Sequence, residues 1–282
     1  MKTISMSNDN TPSWIAAHPI KRSSDMATQS TDSTGFLPVR DRVTKAEWDA
    51  RVELAALYRL LDHMRWTDSI YTHISMRVPN EEAFLINPFG MLYSEVIASS
   101  LVKIDIEGRI LDDPVGLGIN TAGFVIHSAV HGHRHEVACV IHTHTRAGAG
   151  VAAQEHGLLP ISQHAAVLFE HVRYHDFEGV ALDLGERERL VADLGDRNLL
   201  ILRNHGLLAV GRSAGEAFFF LNGLERACEI QIAALAGGSE VRRISAEAMQ
   251  ACGRVMAAQT DFSRDWAPML RLVDRIAPDY RS

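Results

Sequence analysis

The chain has 282 residues and a formal net charge of −7, and 46% of its residues are hydrophobic and 22% charged. The acidic balance, without any block of lysine and arginine, argues against a nucleic-acid partner, which requires a basic surface. No apolar run approaches the roughly 18 residues that suggest a membrane helix, and residues 1–40 lack the pattern of a secretory signal. Three widely spaced cysteines without a CxxC pair fit a reducing compartment. We therefore expect a cytoplasmic protein that binds neither nucleic acid nor membrane.

The first part of the chain changes character twice. Residues 1–40 are rich in serine, threonine, aspartate, asparagine and proline, which predicts a disordered or loosely docked arm. Thr44 and Glu47 then form a Thr-x-x-Glu capping box, and apolar residues at helical spacing predict an amphipathic helix to about Met64. Residues 71–111 alternate between apolar and polar positions and are broken by turns, which predicts short antiparallel strands.

The rest of the chain mixes helices with buried strands. The predicted elements are a helix over 121–135, a strand over 137–141, helices over 145–154 and 186–194, a strand over 198–203, an extended segment over 207–210 and a helix over 245–259. Ser213 and Glu216 form a second capping box, and the helix that follows ends at a double glycine. This mixture predicts one layered α/β domain over residues 41–240. Residues 241–282 are interpreted as a helical tail that packs on this domain or on a neighbouring subunit.

Histidines form the most distinctive feature of the sequence. There are 14 of them, and six fall between residues 127 and 144. In an extended segment, His142 and His144 project to the same face and can reach one ion. His205 follows the second buried strand, in a turn closed by Gly206, and is the best candidate for a third ligand. The alternative interpretation is a chance His-x-His pair in a histidine-rich segment.

Three neutral imidazoles would leave a divalent ion with its full charge and with an open coordination position. That arrangement is typical of a catalytic site, whereas a structural zinc site is closed by four protein ligands. Such an ion can bind a carbonyl or hydroxyl oxygen and stabilise an enolate that forms beside it. The pattern therefore predicts metal-assisted chemistry on a small oxygenated substrate.

Four segments carry a resemblance to a known family. They are Ile-His-Thr-His-Thr at 141–145, Leu-Arg-Asn-His-Gly-Leu at 202–207, Asn-Thr-Ala-Gly-Phe-Val-Ile-His-Ser-Ala at 120–129 and Gly-Leu-Leu-Pro-Ile-Ser at 157–162. Over about residues 44–238 the chain resembles the class II aldolase/adducin family, and the last two segments resemble its adducin-type branch. The resemblance implies an α/β fold with three α/β/α layers around a mostly antiparallel sheet, like that of fuculose-phosphate aldolase.

The same resemblance implies a cofactor and an assembly. It implies one divalent metal ion per subunit, held by His142, His144 and His205. Zinc is the expected ion, with Mn²⁺, Co²⁺ or Fe²⁺ as alternatives. The resemblance also implies a homotetramer whose active sites lie at the subunit boundaries.

Departures from the aldolase pattern concern the substrate. The catalytic carboxylate of fuculose-phosphate-type aldolases matches Gly123, and a glycine cannot transfer a proton. The residues that hold the substrate phosphate in those aldolases match Thr72-His73, Phe89-Gly90 and Thr121-Ala122. Most of that phosphate cradle is therefore lost, and a non-phosphorylated substrate is expected. The predicted substrate-binding residues are Gly90, Thr121, Gly123 and Arg146. Arg146 and Arg203 are candidates for pairing with a substrate carboxylate, or else they form surface salt bridges.

Three residues are predicted to take part in catalysis. His164 matches a tyrosine that the aldolases supply across the subunit boundary, and it could act as an acid or base near neutrality; the alternative is an exposed loop histidine. His127 would hydrogen-bond the substrate or support the metal ligands, or else it is a core histidine. Tyr280 would close the pocket from the tail, or else it serves packing. The spacing of the other histidines does not match one helix face, and these are expected to face solvent: His131, His133 and His135.

Three functions remain open at this point. The first is a metal-dependent carbon–carbon lyase that performs aldol-type cleavage or decarboxylation of a small, non-phosphorylated oxo- or hydroxy-acid. The loss of the carboxylate favours it over sugar-phosphate cleavage, because decarboxylation can proceed without a strong base. The second is a non-catalytic, adducin-like interaction module, which the retention of all three presumed ligands disfavours. The third is an Fe(II)-dependent oxygenase, although the usual oxygenase triad includes a carboxylate.

Overall fold

A computed structural model describes residues 38–179 and 185–282. The arm predicted over residues 1–40 therefore lies outside the described residues, except for its last three positions. Of these, Val39 and Arg40 begin a single helical turn, α1 (Val39–Arg42), just before the first long helix.

One mixed sheet forms the centre of the described structure. Its strands are β1 (His73–Arg77), β2 (Ala83–Ile86), β3 (Val102–Asp105), β4 (Ile110–Asp112), β5 (Cys139–Thr143), β6 (Val172–His175), β7 (Leu199–Leu202) and β8 (Gly206–Gly211). Their order across the sheet is β4-β3-β2-β1-β5-β8-β7-β6. Neighbouring strands are antiparallel except for β6 and β7, which are parallel. The predicted mostly antiparallel sheet is confirmed.

Helices cover both faces of the sheet. After α1 they are α2 (Lys45–His63), α3 (Thr121–His133), α4 (Arg146–Ala152), α5 (Gln163–Leu168), α6 (Glu186–Leu194), α7 (Ala214–Leu235), α8 (Ala246–Ala257) and α9 (Ser263–Ile276). The predicted three-layer α/β/α arrangement is confirmed. Sequence analysis did not assign α5 or β6, and it included α9 only as an unbounded part of the helical tail over residues 241–282. The first two span only six and four residues, too few for a periodic signal, and α9 contains Pro268.

The alternation of side chains along the strands creates two cores. On one face, Ile74 of β1 and Ile141 of β5 join the main hydrophobic cluster beneath α2 and α7. On the other face, Val140 of β5 joins a second cluster with residues of α3 and α6, such as Val125. His73 and Ser75 on β1, and His142 on β5, alternate with residues of the main cluster. These polar side chains therefore face the layer formed by α3 and α6.

In both predicted capping boxes, the expected hydrogen bond from the backbone to the threonine or serine side chain is present. The side chain of Thr44 accepts a hydrogen bond from the backbone N–H of Glu47, and Ser213 accepts one from Glu216. Glu47 itself turns away from the cap and pairs with the buried guanidinium of Arg51. The Glu47 carboxylate therefore neutralises the buried Arg51, and the first turn of α2 is capped by Thr44 alone.

Residues 241–282 pack on the same chain. Helix α8 contacts α5, and α9 contacts both α2 and α7. Trp266 of α9 donates a hydrogen bond from Nε1 to Glu53 of α2, at 3.0 Å. Within the part of the chain that the structure describes, every helix is too short or too polar to span a bilayer.

Candidate metal centre

Two chain segments that meet through strand pairing form the predicted metal site. His142 lies on β5 opposite Leu208 of β8, and His144 follows two residues later, just beyond the strand. His205 lies in the tight connection between β7 and β8, where Asn204 has a φ of 57°. The pairing of β5 with β8 thus brings together histidines that are 61 residues apart in sequence.

Gly206 makes this close approach of the two segments possible. A Cβ atom at this position would lie 2.3 Å from the carbonyl oxygen of Thr143 and 3.1 Å from Cδ2 of His144. Because the first contact is with backbone, a side chain at residue 206 could not be accommodated by a simple rotamer change. The glycine of the Asn-His-Gly segment is therefore a requirement of the site geometry.

The three imidazoles converge through their Nε2 atoms. Nε2 of His142 lies 2.8 Å from Nε2 of His144, which lies 2.9 Å from Nε2 of His205. All three nitrogens lie within 4.8 Å of one another, and in the described residues they form the one cluster of this kind that could hold a metal. The structure therefore brings together the three predicted ligands.

The hydrogen bonds behind the rings show that this donor set fits a cation. Nδ1 of His142 lies 3.0 Å from the carbonyl oxygen of Leu207, and Nδ1 of His144 lies 3.0 Å from Oδ2 of Asp68. Both partners are acceptors, so each Nδ1 carries the proton and each Nε2 of a neutral ring presents a lone pair. Two such lone pairs at 2.8 Å repel each other unless a positive ion lies between them. Imidazole nitrogens suit zinc and neighbouring divalent metals.

Burial keeps His142 and His205 neutral, and one side of the site stays open. Burial, and then the neighbouring His73, lowers the pKa of His142 well below its usual range. The pKa of His205 is lowered to about 4 by burial and then by His144. His142 is 1% exposed, whereas the side chain of His144 is 21% exposed. A small molecule can therefore approach from the His144 side without displacing the core.

His127 is brought close to the site, on the α3 side of β5, which carries His142 and is called the metal strand below. It is fully buried on α3, and its Nε2 lies 2.8 Å from Nδ1 of His73. Gly123 lies one turn earlier on the same helix, directly against the ring of His73. These two predicted residues therefore belong to one buried group that adjoins the three ligands.

The other predicted residues are not part of this buried group. Thr121 and Arg146 are exposed first residues of α3 and α4, Gly90 is exposed with a φ of 101°, and His164 is exposed on α5. Tyr280 is buried in the main hydrophobic cluster and donates its hydroxyl to Asp274 at 2.9 Å. The described contacts of Tyr280 do not include the three histidines.

One expectation about the histidine-rich segment is wrong. His131 does not face solvent, because it is fully buried, stacks on Phe84 and has Nε2 2.8 Å from Oγ of Ser75. It lies four residues after His127 on α3, so both rings share the helix face that covers the sheet. His133 and His135 are exposed, as predicted.

Sequence analysis missed three residues at the site, Ser75, Asp68 and Glu225, and it named His73 only as a match to the lost phosphate cradle. The alternation of β1 does place His73 and Ser75 on one face, but nothing local indicates that β1 pairs with β5. Asp68 lies in an irregular segment, and Glu225 lies in the middle of α7. Their proximity to the site therefore becomes visible only in three dimensions.

Glu225 supports the metal strand from the opposite face of the sheet. It is 1% exposed and accepts hydrogen bonds from Thr143 at 3.2 Å and from Thr145 at 2.8 Å and 2.7 Å. These threonines flank His144. Burial raises the pKa of Glu225 to about 7, against the lowering effect of the two hydroxyl donors. The metal strand is therefore held in place by a carboxyl group that titrates near neutrality.

We expect Glu225→Gln to gain stability relative to the wild type as the pH rises. Burial raises the pKa of Glu225 in the folded protein from 4.5 to about 7, so the folded state favours the protonated carboxyl group. The stability that this preference contributes is fully present below pH 4.5 and is lost as the pH rises through about 7. Glutamine does not titrate, so the difference in free energy of unfolding should grow by about 3 kcal/mol over this range. Urea denaturation of metal-free protein at several pH values measures it, with Glu229→Gln on the same helix as the control. A difference that stays constant with pH would refute the assignment.

Asp68 orients His144 in the manner of outer-shell carboxylates at metal sites. We expect Asp68→Asn to weaken zinc binding about 10-fold, at the lower end of the effects known for such partners, since Asp68 is half exposed. Competition with a chromophoric chelator measures the affinity. Asp196→Asn, at an exposed acid of the same type, provides the control and should leave the affinity unchanged. Equal affinities for wild type and Asp68→Asn would show that this contact does not orient the ligand.

Several known proteins have sequences similar to this one. The chain is 48% identical over 250 residues to a protein of Pseudomonas aeruginosa whose name carries a provisional aldolase class 2 assignment, covering 86% of this chain and 96% of that one. It is 50% identical to alpha-adducin of Rattus norvegicus over 195 residues, which cover 68% of this chain and 26% of the adducin.

Solved structures extend the comparison. An aldolase II superfamily protein from Pseudomonas syringae is 53% identical, has a TM-score of 0.84, and matches 87% of this chain and 100% of its own. The L-fuculose 1-phosphate aldolase of Glaciozyma antarctica, at 22% identity and a TM-score of 0.73, matches 84% of this chain and 93% of its own and shares the fold. The profile of the Class II Aldolase and Adducin N-terminal domain matches residues 52–232. With its His-x-His strand and Asn-His-Gly turn, the chain belongs to the class II aldolase and adducin family.

Proposed function

We propose that the protein is a divalent-metal-dependent carbon–carbon lyase that acts on a small, non-phosphorylated oxo- or hydroxy-acid by aldol-type cleavage or decarboxylation. The observation that carries this proposal is the convergence of three imidazoles, His142, His144 and His205, at a site whose His144 side is partly exposed. Zinc is the ion we expect there, with Mn²⁺, Co²⁺ and Fe²⁺ as alternatives. When bound, the ion polarises a carbonyl or hydroxyl oxygen and stabilises negative charge that develops next to it.

The arginines near the site favour a substrate that is an acid with a single anionic group. Arg203 stacks on the ring of Tyr174 at 4.7 Å and pairs with Asp176 at 3.4 Å, so its guanidinium already has protein partners. Arg146 is exposed at the start of α4, next to the metal strand. We propose that Arg146 binds the substrate carboxylate, with Gly90 and Thr121 as further contacts at the open side. One exposed arginine suits a carboxylate better than a dianionic phosphate.

We propose that a residue from a neighbouring copy of the chain serves as an acid or base at each site. The exposed position of His164 on α5 supports a role as an acid or base that one subunit supplies to the site of the next. We therefore propose a homotetramer with active sites at the subunit boundaries, located in the cytoplasm. For Tyr280, the buried ring and the bond to Asp274 favour the packing role over the catalytic one.

The test combines metal analysis with a substrate panel. Purified protein is analysed for bound metal and is then offered oxo-acids, hydroxy-acids and sugar phosphates, with release of CO₂ or aldehyde as the readout. We expect about one zinc per chain and product release from a non-phosphorylated acid, both abolished in His144→Ala. Turnover of sugar phosphates in preference to the acids would contradict the substrate class. Oxygen consumption by the Fe²⁺-loaded protein would instead support an oxygenase.

A non-catalytic, adducin-like interaction module is the second candidate. The 50% identity to alpha-adducin over 195 residues favours it, because that identity is as high as the identity to the aldolase-named relatives. A module of this kind has no need for three converging ligands. Protein that binds no divalent metal at equilibrium would therefore support the module and exclude the lyase.

A further inference from the structure

A second cavity lies between α1, α2, α9 and the C-terminal 3₁₀ turn over residues 278–281, and its volume is about 430 Å³. Small-molecule sites typically occupy about 300–1,000 Å³. We call it the α2–α9 cavity; its apolar wall consists of Trp48, Val52, Leu270 and Tyr280. None of the residues that line it belongs to the group around the three histidines. The cavity is therefore a candidate for a binding site of its own.

The apolar wall of the α2–α9 cavity is formed before any ligand arrives. Trp48 and Val52 lie one turn apart on α2, and Leu270 lines the same cavity from α9. These three side chains pack against the main hydrophobic cluster but remain partly exposed. Tyr280 is 0% exposed, and its hydroxyl is held by Asp274. The wall therefore offers a fixed apolar surface to the body of a small molecule.

Glu53 places a carboxyl group without a cationic partner in this cavity. Its described hydrogen bond comes from the neutral indole Nε1 of Trp266, at 3.0 Å. Over residues 38–179 and 185–282, no cationic side chain forms an ion pair with Glu53. Burial raises the pKa of Glu53, and the indole donor opposes this effect only in part. A largely enclosed carboxylate gains stability from a cation at hydrogen-bonding distance.

Two arginines contribute positive charge to the same cavity. The guanidinium of Arg40 lies 5.7 Å from the centre of the Trp48 ring, within the range of a cation–π contact. In the described parts of the chain, Arg40 has no carboxylate partner. Arg281 lies 4.8 Å from the centre of the Tyr280 ring and pairs with Asp274 at 2.7 Å. Arg40 is therefore the cation of the cavity that can accept an anionic ligand group.

The charges of the cavity do not neutralise one another. Asp49, the second carboxylate that lines it, pairs with Lys45 at the surface. Among the described ion pairs, none joins Arg40 or Arg281 to Asp49 or Glu53. The cavity thus presents both signs of charge, held apart beside an apolar wall. A ligand that carries both an ammonium group and a carboxylate complements this arrangement, whereas a ligand with one charge leaves Glu53 or Arg40 unmatched.

We propose that the α2–α9 cavity binds a small zwitterion with an apolar body, of the class of the apolar α-amino acids. Its ammonium group donates to Glu53, its carboxylate accepts from the guanidinium of Arg40, and its body packs on the wall that contains Trp48 and Leu270. A planar guanidinium suits a carboxylate because it can donate two parallel hydrogen bonds. This site is separate from the three histidines and does not depend on the proposed lyase function.

Isothermal titration calorimetry of the full chain compares three probes that share one phenyl body. They are L-phenylalanine, 2-phenylethylamine, which lacks the carboxylate, and 3-phenylpropionate, which lacks the ammonium group. We expect saturable binding of L-phenylalanine to a single site. The other two probes should bind about 10- to 100-fold more weakly, since each loses one charged hydrogen bond.

Two variants should separate the contributions of the charges. Glu53→Gln keeps an acceptor for Trp266 but loses the charge, so it should weaken L-phenylalanine and 2-phenylethylamine by about 10-fold or more and leave 3-phenylpropionate unchanged. Arg40→Gln should weaken L-phenylalanine and 3-phenylpropionate to a similar extent and leave 2-phenylethylamine unchanged. Glu188→Gln, at an exposed glutamate of α6, is the matched control and should bind all three probes like the wild type. Circular dichroism verifies the fold of each variant.

The outcomes that would overturn this inference are distinct from a failure of the lyase proposal. Absence of L-phenylalanine binding to the wild type, equal affinities for the three probes, or wild-type affinity in folded Glu53→Gln and Arg40→Gln would each refute it. Metal content and turnover of acids do not enter this test. Protein without metal or lyase activity that still shows the expected pattern of affinities would leave the zwitterion site established.

Discussion

Replacing His144 by alanine is expected to reduce zinc affinity by at least about 100-fold, so that protein purified without added metal carries almost none. Loss of an outer-shell partner costs about 10- to 100-fold, and removal of a direct ligand should meet or exceed the upper end of that range. The remaining pair, His142 and His205, offers two nitrogens, too few to hold a divalent ion firmly. Metal content after gel filtration, and titration with a competing chelator, measure the change.

The surrounding sequence supplies the control for this variant. His135→Ala changes an exposed histidine of the same histidine-rich segment and should leave the metal content unchanged. His144 is partly exposed and lies beyond the end of β5, so the alanine variant should fold, with a circular dichroism spectrum like that of the wild type. Full metal content in folded His144→Ala would show that the ion is bound elsewhere.

Replacing Gly206 by alanine is expected to lower the free energy of unfolding by about 3 kcal/mol or more, the upper range for overpacking a rigid site. The added methyl group would lie 2.3 Å from the carbonyl oxygen of Thr143. Relief of that contact requires β5 and β8 to separate, because the obstacle is backbone. His142 and His144 flank Thr143, and His205 precedes Gly206, so the same separation should also abolish zinc binding. Urea denaturation and metal analysis of one sample test both expectations.

Gly237→Ala is the matched control for this change. A Cβ atom at Gly237 would meet nothing closer than 4.0 Å, and the residue is not among the positive-φ glycines. Alanine at such a position should be neutral or should stabilise the protein by up to about 1 kcal/mol, through a less flexible unfolded chain. Equal stability of Gly206→Ala and Gly237→Ala would mean that the β5–β8 contact is looser than described.

Local sequence patterns were sufficient for most elements of the fold and for the three histidines that converge at the candidate site. Thr44 and Ser213 each cap the helix that they were predicted to begin, because a cap depends on residues within one turn. The His142–His144 spacing specifies one face of an extended segment, and the apolar runs around residues 140 and 200 are typical of central strands. The antiparallel sheet and its layers followed from these signals together with the family resemblance.

The buried surroundings of the ligands could not be read from the sequence. His73 reaches His142 through the register of β1 against β5, which joins segments separated by more than 60 residues. His131 was wrongly assigned to the surface because the segment was judged as a whole, whereas only His133 and His135 leave the shared face of α3. Glu225 acts through the sheet from α7, and a carboxylate within a helix gives no local sign of a distant partner.

The division of the ligands between two distant segments has a thermodynamic consequence. His144 and His205 are 61 residues apart and meet only when β5 and β8 are paired, so the unfolded chain cannot present all three nitrogens together. An ion that binds only the folded chain adds to its stability, by about 4 kcal/mol at a free concentration 1,000 times its dissociation constant. An ion bound there would act as a reversible cross-link, and its withdrawal would make the chain easier to unfold and degrade.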